Sequence, residues 1–158
     1  MTNIKFQPGK FLIILSIFLF YAIYLVSPTI AYSLDSIKES NLMQRAYEFL
    51  NEGETEYALQ LYDEILGVNP THIHALNYKG LALASLGNYD KAIQWYDKVL
   101  DINPTDLSAL NNKGVALYNL GYYEDAIQWY DKVLDIDPND NDAIYNKNIA
   151  LLNLNKSK

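Results

Sequence analysis

The chain has 158 residues, half of them apolar and a fifth charged, which fits a folded domain of ordinary size rather than a disordered segment. A formal charge of −7 offers no basic footprint for a nucleic-acid backbone. The absence of cysteine removes disulfides and thiol chemistry and leaves the redox compartment open.

The chain opens with Lys5 and Lys10, followed by an apolar run from Phe11 to Val26 broken only by Ser16. As a helix this run would span roughly 24 Å, somewhat short of a bilayer core. Ser27, Pro28, Thr29, Ile30 and Ala31 follow. A basic start, an apolar centre, a helix breaker and small residues form a secretory signal pattern, with cleavage expected after Ala31 at Thr29-x-Ala31. The alternative is an uncleaved anchor over residues 11–32. Both readings place the remainder outside the cytoplasm, secreted or membrane-anchored, and the membrane enters only through this segment. Residues 1–31 are thus signal or anchor, and 32–38 a linker.

From residue 73 the chain is written twice. Ile73–Asp106 and Leu107–Asp140 agree at 23 of 34 places without a gap, including Ala92–Ile102 repeated as Ala126–Ile136. Such a period signals a solenoid or array. The phase extends in both directions. Glu39–His72 is a diverged earlier copy that keeps Ala58, Tyr62 and Pro70, and Asn141–Lys158 is the first half of a further one. The expected units are therefore 39–72, 73–106, 107–140 and a capping helix over 141–158.

Each unit reads as two helices and two turns. In the second, Pro70 stops the preceding helix and Thr71 is the expected N-cap. A helix is expected over about His72–Leu86, ended by Gly87, and another over about Tyr89–Ile102, with Pro104 beyond it. Leu76, Gly80, Leu83 and Leu86 form one apolar stripe, and Ala92, Ile93, Tyr96, Val99 and Leu100 another. Glycine inside a helix costs ~1 kcal/mol against alanine, so Gly80 and Gly114 imply a packing reason. One helix pair cannot bury both stripes, whereas stacked pairs can.

At these residues the chain resembles the tetratricopeptide repeat. The signature appears as Leu76, Gly80, Leu83, Gly87, Tyr89, Ala92, Tyr96 and Pro104, and again as Leu110, Gly114, Leu117, Gly121, Tyr123, Ala126, Tyr130 and Pro138. The first unit keeps Leu42, Gly53, Ala58, Tyr62 and Pro70 but has Ala46 at the glycine place. The departures are Arg45, Lys79, Lys113 and Lys147 in place of a leucine, Ile65, Val99 and Val133 in place of an alanine, and Asn148 in place of the last glycine. The resemblance implies an all-α fold, a right-handed superhelical α-solenoid of antiparallel helix pairs, and a non-enzymatic scaffold for protein–protein interaction.

It also implies that the first helices line a concave surface. The residues carried onto that surface are His74, Asn77, Leu81, Ser108, Asn111, Val115, Tyr118, Asn119, Tyr145, Ile149 and Asn153, with Asn112 and Asn146 at its edge. An amide side chain donates and accepts at once, so these asparagines could hold an extended peptide by paired hydrogen bonds. The expected partner is a protein or peptide, not a nucleic acid. The family's clamp for C-terminal carboxylates needs lysine and arginine at places that here hold Asn77, Asn111 and Asn112, so a heat-shock-chaperone tail is not the expected ligand. The alternative role is a tethered or self-associating subunit of an envelope complex, with Leu151, Leu152 and Leu154 of the last helix as the deciding residues.

Other clusters have plainer readings. Lys79, Lys113 and Lys147 recur with Asp63, Asp97 and Asp131, which points to surface ion pairs rather than a cationic ladder. Trp95 and Trp129 recur with the repeat, which points to packing between units. His72 and His74 form a His-x-His pair, but at a helix start the rings would sit ~200° apart and no third ligand is near. Neither a metal nor another cofactor is expected. No phosphate-cradling glycine loop and no serine beside a suitable histidine is present, and the carboxylates fall at repeat spacing, so no enzyme is expected.

Overall fold

The computed structural model describes residue 33 and residues 36–156. The expected signal or anchor, residues 1–31 or 11–32, lies outside the described residues. The chain divides into two units, residues 1–41 and 42–158. In the first, residues 36–41 are helical. The second holds seven helices among the described residues, and no strand. These are α1 (residues 42–51), α2 (Thr55–Val68), α3 (Ile73–Ser85), α4 (Tyr89–Ile102), α5 (Leu107–Asn119), α6 (Tyr123–Ile136) and α7 (Asn141–Lys156). No described helix is long and apolar enough to cross a membrane.

The helix ends follow from local chemistry repeated every 34 residues. At the end of α3 the chain turns through Gly87, whose φ of +75° disfavours any residue with a Cβ. Gly87 N donates to Ala84 O and Asn88 N to Leu83 O, each at 2.9 Å, which satisfies two carbonyls left over at the helix end. The same pair of bonds closes α5 at Gly121 and α1 at Gly53.

The start of α3 differs from expectation. Its N-cap is His72 rather than Thr71, because His72 Nδ1 accepts from Ala75 N at 3.0 Å. In the later units an aspartate does the same work. Asp106 Oδ1 accepts from Ala109 N at 2.9 Å, and Asp140 Oδ1 from Ala143 N at 2.8 Å. The helix is accordingly Ile73–Ser85, slightly shorter than the expected His72–Leu86.

The core is a column of repeated contacts. Tyr62, Tyr96 and Tyr130 are fully buried, one per unit, as are Ile65, Val99 and Val133 at the place where the signature has alanine. Leu76, Ala92, Tyr96 and Val99 of one unit share a cluster with Ala109 and Ala116 of the next. Each helix packs on its neighbours in sequence, from α2 on α3 through α6 on α7. In addition α3 approaches α5 and α5 approaches α7, whereas among the described residues α2, α4 and α6 do not approach one another. The odd-numbered side is therefore the tighter side of the stack, which makes it the inner face of an α-solenoid of antiparallel helix pairs.

Candidate functional site

The inner face is built by α3, α5 and α7. Two hollows open on it, at successive junctions. One, about 350 Å³, lies between α3 and α5 and is lined by His74, Asn77, Tyr78, Leu81, Ser108 and Asn112. The other, about 220 Å³, is lined by Val115, Tyr118, Asn119, Tyr130, Asn146 and Ile149. Of the residues expected from the sequence, nine therefore meet in two hollows: His74, Asn77, Leu81, Ser108 and Asn112 in the first, Val115, Tyr118, Asn119 and Ile149 in the second. Asn111, Tyr145 and Asn153 line neither hollow.

Reading by position missed Tyr78 and Tyr130, and it put Asn146 at the edge. Tyr130 belongs to α6, on the outer side, but its ring reaches the second hollow because Gly114 stands between them without a side chain. The sequence carried that signal in the pairing of Gly114 with Tyr130. Burial pushes the Tyr130 phenol well above its ordinary pKa, and Tyr118 adds to the effect, so Tyr130 enters the hollow as a neutral hydroxyl.

The polar groups of this face are largely tied to one another across units. Asn77 Nδ2 donates to Asp106 Oδ1 at 3.3 Å. Asn146 Nδ2 donates to Asn111 Oδ1 at 3.2 Å, and Asn153 Nδ2 donates to Tyr118 OH at 2.7 Å. Asn119 Nδ2 donates to Val115 O of its own helix at 2.8 Å. Asn77 Oδ1 differs from these: it is buried and has no hydrogen-bond partner among the described residues.

The recurrent lysines point elsewhere. Lys79, Lys113 and Lys147 pair with Asp63, Asp97 and Asp131 of the preceding unit. The pairing is the one the spacing suggests and its aspartates are exposed, but the Lys79 side chain is only 11% exposed and that of Lys113 13%. The ammoniums of Lys79 and Lys113 also lie on an indole. Lys79 Nζ is 3.8 Å from the Trp95 ring centre and Lys113 Nζ 4.0 Å from that of Trp129. Lys98 and Lys132 approach the same rings at 3.7 and 3.4 Å. Each tryptophan thus carries two cations of its own unit, which the sequence did not reveal, and packs against a cluster that includes residues of the next unit.

The histidine pair needs a correction. The rings of His72 and His74 are 6.1 Å apart, edge to face, rather than on opposite sides, because His72 caps the helix instead of entering it. His72 Nδ1 is engaged with Ala75 N. Among the described residues no group of three His, Cys, Asp or Glu side chains is placed to hold a metal ion.

Comparison with known proteins agrees with this architecture. Residues 80–121 match a family model described as TPR repeat, and residues 108–140 one described as Tetratricopeptide repeat. No curated protein matches the chain. Among solved structures, a tetratricopeptide repeat protein from Parabacteroides merdae is 29% identical with a TM-score of 0.66, over 73% of this chain and 45% of that one. A MamA RS-1 double mutant is 28% identical with a TM-score of 0.69, over 75% of this chain and 67% of that one. The first TPR of Spaghetti (RPAP3), bound to an HSP90 peptide, is 20% identical with a TM-score of 0.71, over 75% of this chain and 94% of that one. The stacked helix pairs, the glycine–tyrosine contacts at their centre and these matches identify tetratricopeptide repeats over residues 80–140, within a fold generally used as a non-catalytic scaffold for protein–protein interaction.

Proposed function

We propose that this domain binds an extended segment of a partner protein along its inner face, through the two hollows between α3, α5 and α7. The observation that carries the reading is that these hollows follow one another on a single face, each at a junction between units. An extended chain is the ligand shape that meets both. The first hollow is amide-rich and suits backbone recognition. The second, with Val115, Tyr118, Tyr130 and Ile149, suits an apolar side chain.

The solved first TPR of Spaghetti holds an HSP90 peptide, SRMEEVD. Such an acidic tail is a poor match here. The clamp places hold Asn77, Asn111 and Asn112, and Asp106 lies against Asn77. Lys79, Lys113 and Lys147, the lysines nearest in sequence, are committed to aspartates and indoles or to an aspartate alone. The partner segment is uncharged or basic.

We place the domain outside the cytoplasm on the strength of Lys5, Lys10 and the apolar run Phe11–Val26. N-terminal sequencing of protein from its native host tests this, and intact soluble protein in the cytoplasm would refute it. The peptide reading is tested by affinity capture on the full-length chain, followed by calorimetry with the captured segment. Wild type should bind with one-to-one stoichiometry, and Tyr118→Ala together with Asn77→Ala should weaken binding by more than about tenfold.

A second reading, self-association through the last helix, is favoured by the exposure of Leu151 and of Leu152, the latter 60% exposed. Leu154 is only partly exposed. Sedimentation of wild type against Leu152→Lys tests it: a dimer lost in the variant supports this reading, and a monomer in both removes it.

A further inference from the structure

The first hollow contains an acceptor without a donor. Asn77 Oδ1 is buried and unpartnered among the described residues, while Asn77 Nδ2 donates to Asp106 Oδ1 at 3.3 Å. The amide cannot turn over to relieve this, because a carboxylate only accepts and a flip would set two acceptors face to face. Asp106 is itself fixed, since it caps α5 through Ala109 N. The orientation of Asn77 is therefore set by the fold, and its oxygen must take a donor from solvent or from a ligand.

One repeat later the corresponding amides are closed on each other. Asn146 Nδ2 donates to Asn111 Oδ1 at 3.2 Å. The pair 34 residues earlier is Asn112 and Asn77, and here the bond is not formed, since Asn77 Oδ1 stays unpartnered. Asn112 instead lines the hollow of about 350 Å³ beside Asn77. The two junctions thus present the same residue types in two states, one open and one shut. A peptide unit offers one N–H and one C=O. That is the complement of an open pair made of a fixed acceptor and an adjacent amide.

We propose that the α3–α5 junction is where this domain grips the backbone of its peptide ligand. Asn77 Oδ1 accepts one peptide N–H, and Asn112 Nδ2 donates to a peptide C=O. The Asn111–Asn146 bond keeps the next junction closed to backbone, which leaves that junction to side-chain contact in the apolar second hollow. The inference rests on the peptide-binding reading and narrows it to one pair of amides. It also distinguishes Asn77 from Asn111, which the repeat alone makes equivalent.

The test uses the full-length chain to select from a displayed library of random heptapeptides. The probe is then a synthetic copy of the selected peptide, together with copies carrying one backbone N-methyl each. One methylated copy should bind wild type about tenfold more weakly, since it lacks the N–H that a buried acceptor needs. That copy should lose nothing relative to the parent peptide on Asn77→Ala. Asn112→Ala should weaken the parent peptide at least about threefold, and Asn111→Ala, at a residue that lines neither hollow, should leave it within about twofold. Asn112→Ala removes no bond to Asp106, so it carries the test if Asn77→Ala loses helicity. Weakening by Asn111→Ala with indifference to Asn77→Ala and Asn112→Ala would overturn the inference and leave the peptide groove standing. A peptide indifferent to Asn77→Ala, Asn111→Ala and Asn112→Ala would likewise overturn the inference, and no selected peptide at all would overturn both.

Discussion

A Cβ built on Gly80 would lie 2.5 Å from Cε1 of Tyr96, and one on Gly114 2.6 Å from Cε1 of Tyr130. The glycine of each first helix is the surface on which the tyrosine of the second helix rests. This explains why a residue that weakens a helix occupies its middle twice. In the first unit Ala46 and Tyr62 hold the same two places and are both fully buried, so there a methyl is accommodated.

Gly80→Ala should therefore be mildly destabilising. The helix gains up to ~1 kcal/mol from alanine, and forcing a ring off its seat in a packed core costs about 1–3 kcal/mol. A net loss of about 1 kcal/mol is expected, and Gly80→Val should lose about 3 kcal/mol. Urea denaturation followed by circular dichroism measures both. A stabilised Gly80→Val would show that the ring is not confined.

The Lys79–Asp63 pair stands on the face of Trp95, with the lysine buried and the aspartate largely exposed. Asp63→Ala should cost about 1 kcal/mol, discounted for the exposed partner. Lys79→Met keeps the aliphatic stem, removes the buried charge and should lie within about 1 kcal/mol of wild type. Lys79→Ala should cost about 2 kcal/mol through lost packing against Trp95. Equal losses for Met and Ala would mean that charge, not packing, is what the position supplies.

Tyr62 OH is buried without a hydrogen-bond partner among the described residues. Tyr62→Phe should accordingly stabilise the domain by up to about 1 kcal/mol. Burial, with Tyr78 and Tyr47 adding to it, pushes the Tyr62 phenol from 10.0 up to about 12, and burial raises Tyr96 and Tyr130 as well. Below pH 10 both folded and unfolded states hold these protons, and the tyrosine contribution is complete. Above it the unfolded chain binds fewer protons than the folded one, so stability falls as pH rises toward about 12. Denaturation across this range, with tyrosinate absorbance as a second readout, should show the fall, and Tyr62→Phe should make it shallower. Stability that is flat over the same range would contradict the burial assignment.

His72 caps α3 where Asp106 and Asp140 cap the later first helices. His72→Asp should stabilise by about 0.5–1 kcal/mol, since a carboxylate both accepts from Ala75 N and interacts well with the helix start. Asp106→Ala should cost about 1–2 kcal/mol, because it removes the cap and the bond from Asn77 together. Thermal unfolding of the two variants beside wild type checks the order.

The fold was legible because its determinants are local and repeat. Gly87, Gly121, Tyr96 and Tyr130 fall at fixed intervals, and a turn or a buried ring announces itself at each. The site was only half legible. Position along a helix placed Asn77 and Asn111 alike on the inner face, but whether an amide is open or closed depends on a partner 29 or 35 residues away. Lys79 read as a surface charge because its burial comes from Trp95 of the next helix, which no spacing rule reports. Thr71 read as a cap because threonine is a common one, while the histidine that does the work is rarely chosen.

Amide hydrogen exchange on the full-length chain, with and without its captured peptide segment, tests the central claim most directly. Binding in the hollows predicts added protection concentrated in α3 and α5 and extending to α7, with α2 and α4 unchanged. Protection centred on α2, α4 and α6, or confined to α7, would place the partner on the outer side or on the last helix and contradict the inner-face account.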